Sequence, residues 1–114
     1  IAASVVESSK HFDIKVIVAS TVSGYSARKI SNLKPDCYIL ATCTSKEVAR
    51  SLALNYGVVT TIVPFVNDVD EIISLAREKA IKEFKLKVKD KILITSGFST
   101  GDKRITNFMK IEEI

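Results

Sequence analysis

The stretch "VIVASTVSGYSARKISNLKP", residues 16–35, decides the fold. Its first part is an unbroken apolar segment of strand length. Its last part sets Ala27, Ile30 and Leu33 at helical spacing and stops before Pro35, because the residue preceding a proline disfavours helical geometry. Ser20, Thr21, Val22, Ser23 and Gly24 join the two, so a strand hands over to a helix through hydroxyls and a glycine, with no acid.

The same alternation extends in both directions. Upstream, Ala2, Ala3, Val5, Val6 and Phe12 fall on one side of a helix that leads into "DIKVIVAS". Downstream, "CYILAT" reads as a second strand, and Thr44 with Glu47 forms a capping box for a helix burying Val48, Ala49, Leu52 and Ala53. Gly57 is expected to end that helix in a left-handed cap, before the β-branched "VVTTIV". Asn67 is expected to cap the longest helix, whose apolar stripe is Val69, Ile72, Ile73, Ala76, Ala80 and Phe84. Asp68, Asp70 and Glu71 favour its positive N-terminal end. "KILITSG" and "ITNFMKI" then pair as an antiparallel hairpin around the loop "FSTGDKR".

One helix, βα units and a closing hairpin imply a three-layer α/β/α domain. Its sheet is five-stranded and mainly parallel, with an antiparallel last strand at the edge. At 114 residues and 46% hydrophobic composition the chain fits a single domain, 1–114. It opens on Ile1 inside a helical pattern, without an initiator methionine, which leads to the expectation of a fragment of a longer chain. No signal peptide or membrane-length apolar run stands out. The net charge of +4 is dispersed, and the lysines of "KEFKLKVKDK" read as solvated helix-end and strand-edge residues, so neither nucleic acid nor membrane is expected as a partner. Cys37 and Cys43 are read as buried free thiols suited to the cytoplasm; with His11 the only histidine, no zinc site is expected.

In such a sheet ligands bind beyond the carboxyl ends of the strands, where the strand order reverses. Three segments converge there: 20–26, 43–45 and 96–104. Thr21, Ser23 and Ser26 surround Gly24 at a helix start, where backbone N–H groups lack partners and the helix dipole is positive. Hydroxyls and free amides without neighbouring acid are chemistry for an anion such as phosphate. A plainer reading is that Ser23 caps the helix and Gly24 turns the chain. One loop binds phosphate weakly, about −4 kcal/mol at millimolar affinity, so a ligand needs a second anchor, for which Lys103 and Arg104 are the candidates.

Other chemistries are excluded by residue type. The loop lacks the Gly-Lys-Ser/Thr ending of a P-loop and the glycine spacing of a dinucleotide site. A receiver-type aspartate is replaced by Ala19 or Ser20. A serine nucleophile would need a nearby base, yet His11 precedes the first strand at the opposite edge of the sheet, where it suits a helix C-terminus.

Taken in order, "AASVVESSK", "VIVASTVSGYSARKISNLKPDCYILATC", "EVARSLALNYGVVTTIV" and "VKDKILITSGFSTGDKRITNFMKI" resemble the C-terminal domain of pyruvate kinases over nearly the whole chain. The resemblance implies a regulatory and subunit-assembly domain. Thr21, Val22, Ser23, Gly24, Tyr25 and Ser26 would cradle the phosphate of an allosteric effector, and Phe98, Ser99, Thr100, Gly101, Asp102, Lys103 and Arg104 would form a loop closing over it. It also implies a homotetramer that uses the edge strand and a neighbouring helix. The parent enzyme would convert phosphoenolpyruvate and ADP to pyruvate and ATP with magnesium and potassium, on a barrel domain this chain lacks. The chain alone is expected to be non-catalytic and to need no cofactor of its own.

Three departures from the family pattern stand out, and the last narrows the effector. Lys89 stands where the family usually has glycine, and "GDKRITN" carries charge where many members have small residues. "TTIVPFVNDVDEII" offers neither the tryptophan nor the arginine that resembles a fructose 1,6-bisphosphate site, which favours a sugar monophosphate or AMP, or no effector. A stand-alone phosphate-binding protein and a purely structural oligomerisation module remain the alternatives.

Overall fold

The computed structural model describes residues 2–66, 68–99 and 105–114, and at 97–99 and 105–107 it describes the backbone alone. The elements run α1 (Ala2–His11), β1 (Val16–Thr21), α2 (Tyr25–Asn32), β2 (Tyr38–Cys43), α3 (Lys46–Leu52), β3 (Val58–Ile62), α4 (Val69–Phe84), β4 (Lys91–Ser99) and β5 (Ile105–Glu113). The strand order is β3-β2-β1-β4-β5. β1 pairs in parallel with both β2 and β4, β2 with β3, and β5 closes the sheet antiparallel to β4. The direction of winding therefore reverses between β1 and β4.

Strand side chains alternate between faces, and β1 serves both. Ile17 and Ala19 join Val5, Ala27, Ile30, Ile39, Leu52 and Leu93 in a core under α1, α2 and α3. Val16 and Val18 join Leu40, Ala76, Ala80, Ile92 and Ile94 in a second core under α4. That two-sided burial explains why the central strands read as continuous apolar runs, each fully buried Ile or Leu contributing about 1.5–3 kcal/mol.

Local details differ from the sequence reading. The α3 cap is Ser45, whose Oγ accepts from Val48 N–H at 3.3 Å, so the expected Thr44–Glu47 capping box does not form: the helix starts one residue later. Asp68 caps α4 by accepting from Glu71 N–H at 3.3 Å, while the expected cap, Asn67, lies outside the described residues. α3 ends at Leu52 with Ala53 as its right-handed cap. Gly57, at φ 68°, instead turns the chain into β3, and its carbonyl accepts from Ile39 N–H at 2.8 Å. On α1, Ala3 faces solvent and Ser9 is buried, donating to the Val6 carbonyl at 2.6 Å, while Phe12, just past the helix end, is exposed; on α2, Leu33 is an exposed cap. Val69, at the first turn of α4, is exposed rather than part of the buried stripe.

The hairpin is longer than expected. Phe98 pairs with Thr106 and Ser99 with Ile105, which puts Phe98 and Ser99 in the ladder rather than in the loop. Lys89, in the expected glycine position, has φ 80°, and its N–H donates to the Ile114 carbonyl at 2.9 Å.

Candidate functional site

The reversal between β1 and β4 brings the ends of these strands together at a cleft that borders the start of the 21–26 turn and the first turns of α4. Ser20 pairs in register with Thr42 on one side and Ser96 on the other, and Thr42 with Thr61, so hydroxyl residues line up across four parallel strands. Ser20, Thr42, Thr44 and Ser96 line a cleft that Phe65 and Ile72 help to wall. Its volume is about 30 Å³, room for one water-sized group.

Beside it, the 21–26 turn is built by its own side chains. Thr21, buried, accepts from Gly24 N–H at 2.8 Å. Ser23 Oγ accepts from Tyr25 N–H at 3.3 Å, a turn closed by a hydroxyl. Gly24 is itself the helix cap at φ 87°, with no side-chain cap hydrogen bond, and Arg28 N–H is the first to reach back to its carbonyl, at 3.0 Å. The Ser26 and Ala27 amides therefore belong to the first helical turn without an intrahelical acceptor, at the positive end of a helix with no acid in that turn. The plainer reading is right in part: Gly24 turns the chain, but Ser23 is not the cap.

The side chains divide in role. Thr21 spends an acceptor lone pair inside the turn and Ser26 is half-buried. Val22 points outward, so its contribution to an anion would come from backbone N–H, while the outward-facing Tyr25 already spends its N–H on Ser23 Oγ. Lys29 lies over the Tyr25 ring, 5.4 Å from its centre. Of the other expected segments, Thr44 and Ser96 reach the cleft and Ser45 is committed to capping α3. Residues 100–104, with the proposed second anchors Lys103 and Arg104, lie outside the described residues.

One residue the sequence reading passed over belongs here. Arg28, a helical turn beyond Gly24, donates through Nη2 to the Ser23 carbonyl at 3.0 Å and through Nη1 to Ser51 Oγ at 3.3 Å. Its spacing of four from Gly24 was the available signal. Among the described residues, no group of three or more His, Cys, Asp or Glu gathers as a metal donor set. Nor, among them, is any helix long and apolar enough to cross a membrane. His11 is exposed at the end of α1, edge-on to Phe12 with ring centres 4.8 Å apart, away from the 21–26 turn as expected.

Comparison with known proteins gives a consistent answer. The family model described as the pyruvate kinase alpha/beta domain matches residues 1–112. A pyruvate kinase of Clostridium perfringens is 42% identical over 104 residues, 90% of this chain and 22% of that protein. One from Geobacillus stearothermophilus is 34% identical over 111 residues, 97% of this chain and 19% of that protein. The structure of Cryptosporidium parvum pyruvate kinase in complex with ADP superposes with a TM-score of 0.87 at 32% identity, covering 99% of this chain and 23% of that one. The chain thus spans about a fifth of the length of these relatives. With the sheet order, the Ser-Gly turn and the closing hairpin in place, the chain belongs to the pyruvate kinase alpha/beta domain family.

Proposed function

We propose that this chain is the regulatory and subunit-assembly domain of a pyruvate kinase, and that the 21–26 turn receives the phosphate of a monophosphorylated effector, a sugar monophosphate or AMP. The observation that carries this reading is the Gly24 cap, which leaves the Ser26 and Ala27 amides without a side-chain acceptor at the positive end of α2. The phosphate would sit on those amides and the Ser23 and Ser26 hydroxyls, with the body of the effector over the hydroxyl-lined cleft. The loop of residues 100–104, beyond the end of β4, would close over it. Transfer of phosphate from phosphoenolpyruvate to ADP, with its magnesium and potassium, would belong to a barrel domain of the longer parent, and the β5 edge with a neighbouring helix would join subunits of a cytoplasmic tetramer.

The test is calorimetry on the protein expressed from its full reading frame, titrated with ribose 5-phosphate, glucose 6-phosphate, AMP and fructose 1,6-bisphosphate, with pyruvate formation measured alongside. Saturable binding of a monophosphate that Ser26→Asp abolishes is expected, because the new carboxylate occupies the anion position. No binding of any of them at millimolar concentration would overturn the effector reading and leave assembly as the role. An open reading frame without an upstream barrel would overturn the assignment to a longer enzyme.

A further inference from the structure

We infer that Arg28 is the positioning residue of the 21–26 turn, holding it in its anion-receiving form by tying it to α3. The turn contains no charged side chain of its own. Arg28 reaches it from below: one arm of the guanidinium holds the Ser23 carbonyl at 3.0 Å, the other holds Ser51 Oγ at 3.3 Å. Ser51 is fixed in turn, since its hydroxyl donates to the Val48 carbonyl at 2.7 Å within α3. A chain of hydrogen bonds thus runs from the turn to a helix that packs on β2 and β3.

Gly24 makes the approach possible. A Cβ there would lie 3.0 Å from Arg28 Nη1 and 3.4 Å from Leu52 Cδ2, so the guanidinium and α3 pack directly against the backbone of the cap. The Ser23 carbonyl oxygen, the group of the turn most repellent to an anion, is thereby neutralised by a charged donor. The planar fork makes two directed contacts at once, which a lysine ammonium on its flexible stem does not reproduce. Among the described residues no carboxylate forms an ion pair with Arg28, so its charge adds to the positive field at the α2 N-terminus.

The inference has two parts, and only the second rests on the effector reading. Hydrogen exchange followed by mass spectrometry on the full reading frame, with no ligand present, tests the first. In Arg28→Gln, peptides spanning residues 20–28 should exchange about tenfold faster, the factor for losing one net charge-assisted hydrogen bond, while peptides of β1 and β4 keep their rates. Ser51→Ala should shift the same peptides in the same direction and by less. Unchanged exchange in Arg28→Gln, or acceleration spread evenly over the domain, would overturn the positioning role.

Titration with inorganic phosphate and with ribose 5-phosphate tests the second. Arg28→Gln should weaken both about tenfold, and Arg28→Lys, which keeps the charge without the fork, should recover affinity only in part. Full recovery by lysine would show that charge alone acts and overturn the fork as the device. If the wild-type protein binds neither probe while Arg28→Gln still accelerates local exchange, the effector reading falls and the hold of Arg28 on the turn stands.

Discussion

Ser20 on β1 stands in parallel register with Ser96 on β4, at the place where the winding of the sheet reverses. The pair floors the cleft beside the 21–26 turn, which links a topological property of the sheet to the position of a site.

Ser20→Val should separate the two halves of the proposed effector. A β-branched side chain suits a strand, so stability should change by less than about 1 kcal/mol. The added methyls take up space in the cleft, so calorimetry should show weaker ribose 5-phosphate binding with inorganic phosphate unaffected. Equal loss of both would place the phosphate itself in the cleft.

The two left-handed glycines offer an internal comparison. Gly57 has nothing within 4 Å of where a Cβ would stand, so Gly57→Ala should cost only the conformational penalty, about 1–2 kcal/mol in urea unfolding. Gly24→Ala must also displace the Arg28 guanidinium, and should cost about 1 kcal/mol more. A smaller loss at Gly24 than at Gly57 would mean that the guanidinium relocates freely.

Lys89 occupies a left-handed position without the freedom of glycine. Lys89→Gly should remove strain of about 1–2 kcal/mol, partly offset by the greater entropy of the unfolded chain, for a net gain of up to about 1 kcal/mol. Urea midpoints measured on both proteins check this, and a loss of stability would contradict it.

Burial pushes the Cys37 and Cys43 thiols above their ordinary 9.0, with a Ser9 hydrogen bond partly opposing the shift at Cys37. On unfolding, these thiols ionise more readily. Their contribution to stability should therefore be complete below pH 9.0 and be lost as pH rises through the folded values. Urea unfolding from pH 7 to 10, compared with a Cys37→Ala, Cys43→Ala double variant, should show the steeper alkaline decline in the wild type. Parallel curves would remove the thiols as its cause.

Leu52 is fully buried beneath the Gly24 turn. Leu52→Ala should cost about 2–5 kcal/mol by opening a cavity between α3 and the sheet. Its Tm, read by circular dichroism, should fall accordingly; a loss under 1 kcal/mol would mean that α3 collapses onto the sheet to fill the space.

Much of this architecture was legible in the sequence because hydrophobic periodicity reports burial directly. The segments "DIKVIVAS" and "CYILAT" read as strands from their apolar runs, and Pro35 marked the end of α2. Cap identity was less accessible: Thr44, Ser45, Asn67 and Asp68 are all good capping residues, and the choice between neighbours depends on where the first helical turn closes. The hairpin was shortened for a similar reason, since Phe98 and Ser99 look like loop beside a glycine until their pairing with Thr106 and Ile105 is seen. At the candidate site, the glycine and hydroxyls were visible as a motif. Arg28 was not, because its contact with Ser51 spans two helices that only the sheet order brings together.

The central placement of β1 has a consequence for synthesis. As the chain leaves the ribosome, β1 can pair with β2 and β2 with β3, but the other side of β1 stays open until Ile92–Ser96 emerges. That open side belongs to a strand whose Val16, Ile17, Val18 and Ala19 are all buried in the finished fold. A nascent or truncated chain lacking β4 therefore presents a bare apolar strand edge, a template for other chains, and its expected fate is aggregation rather than a smaller version of the same domain.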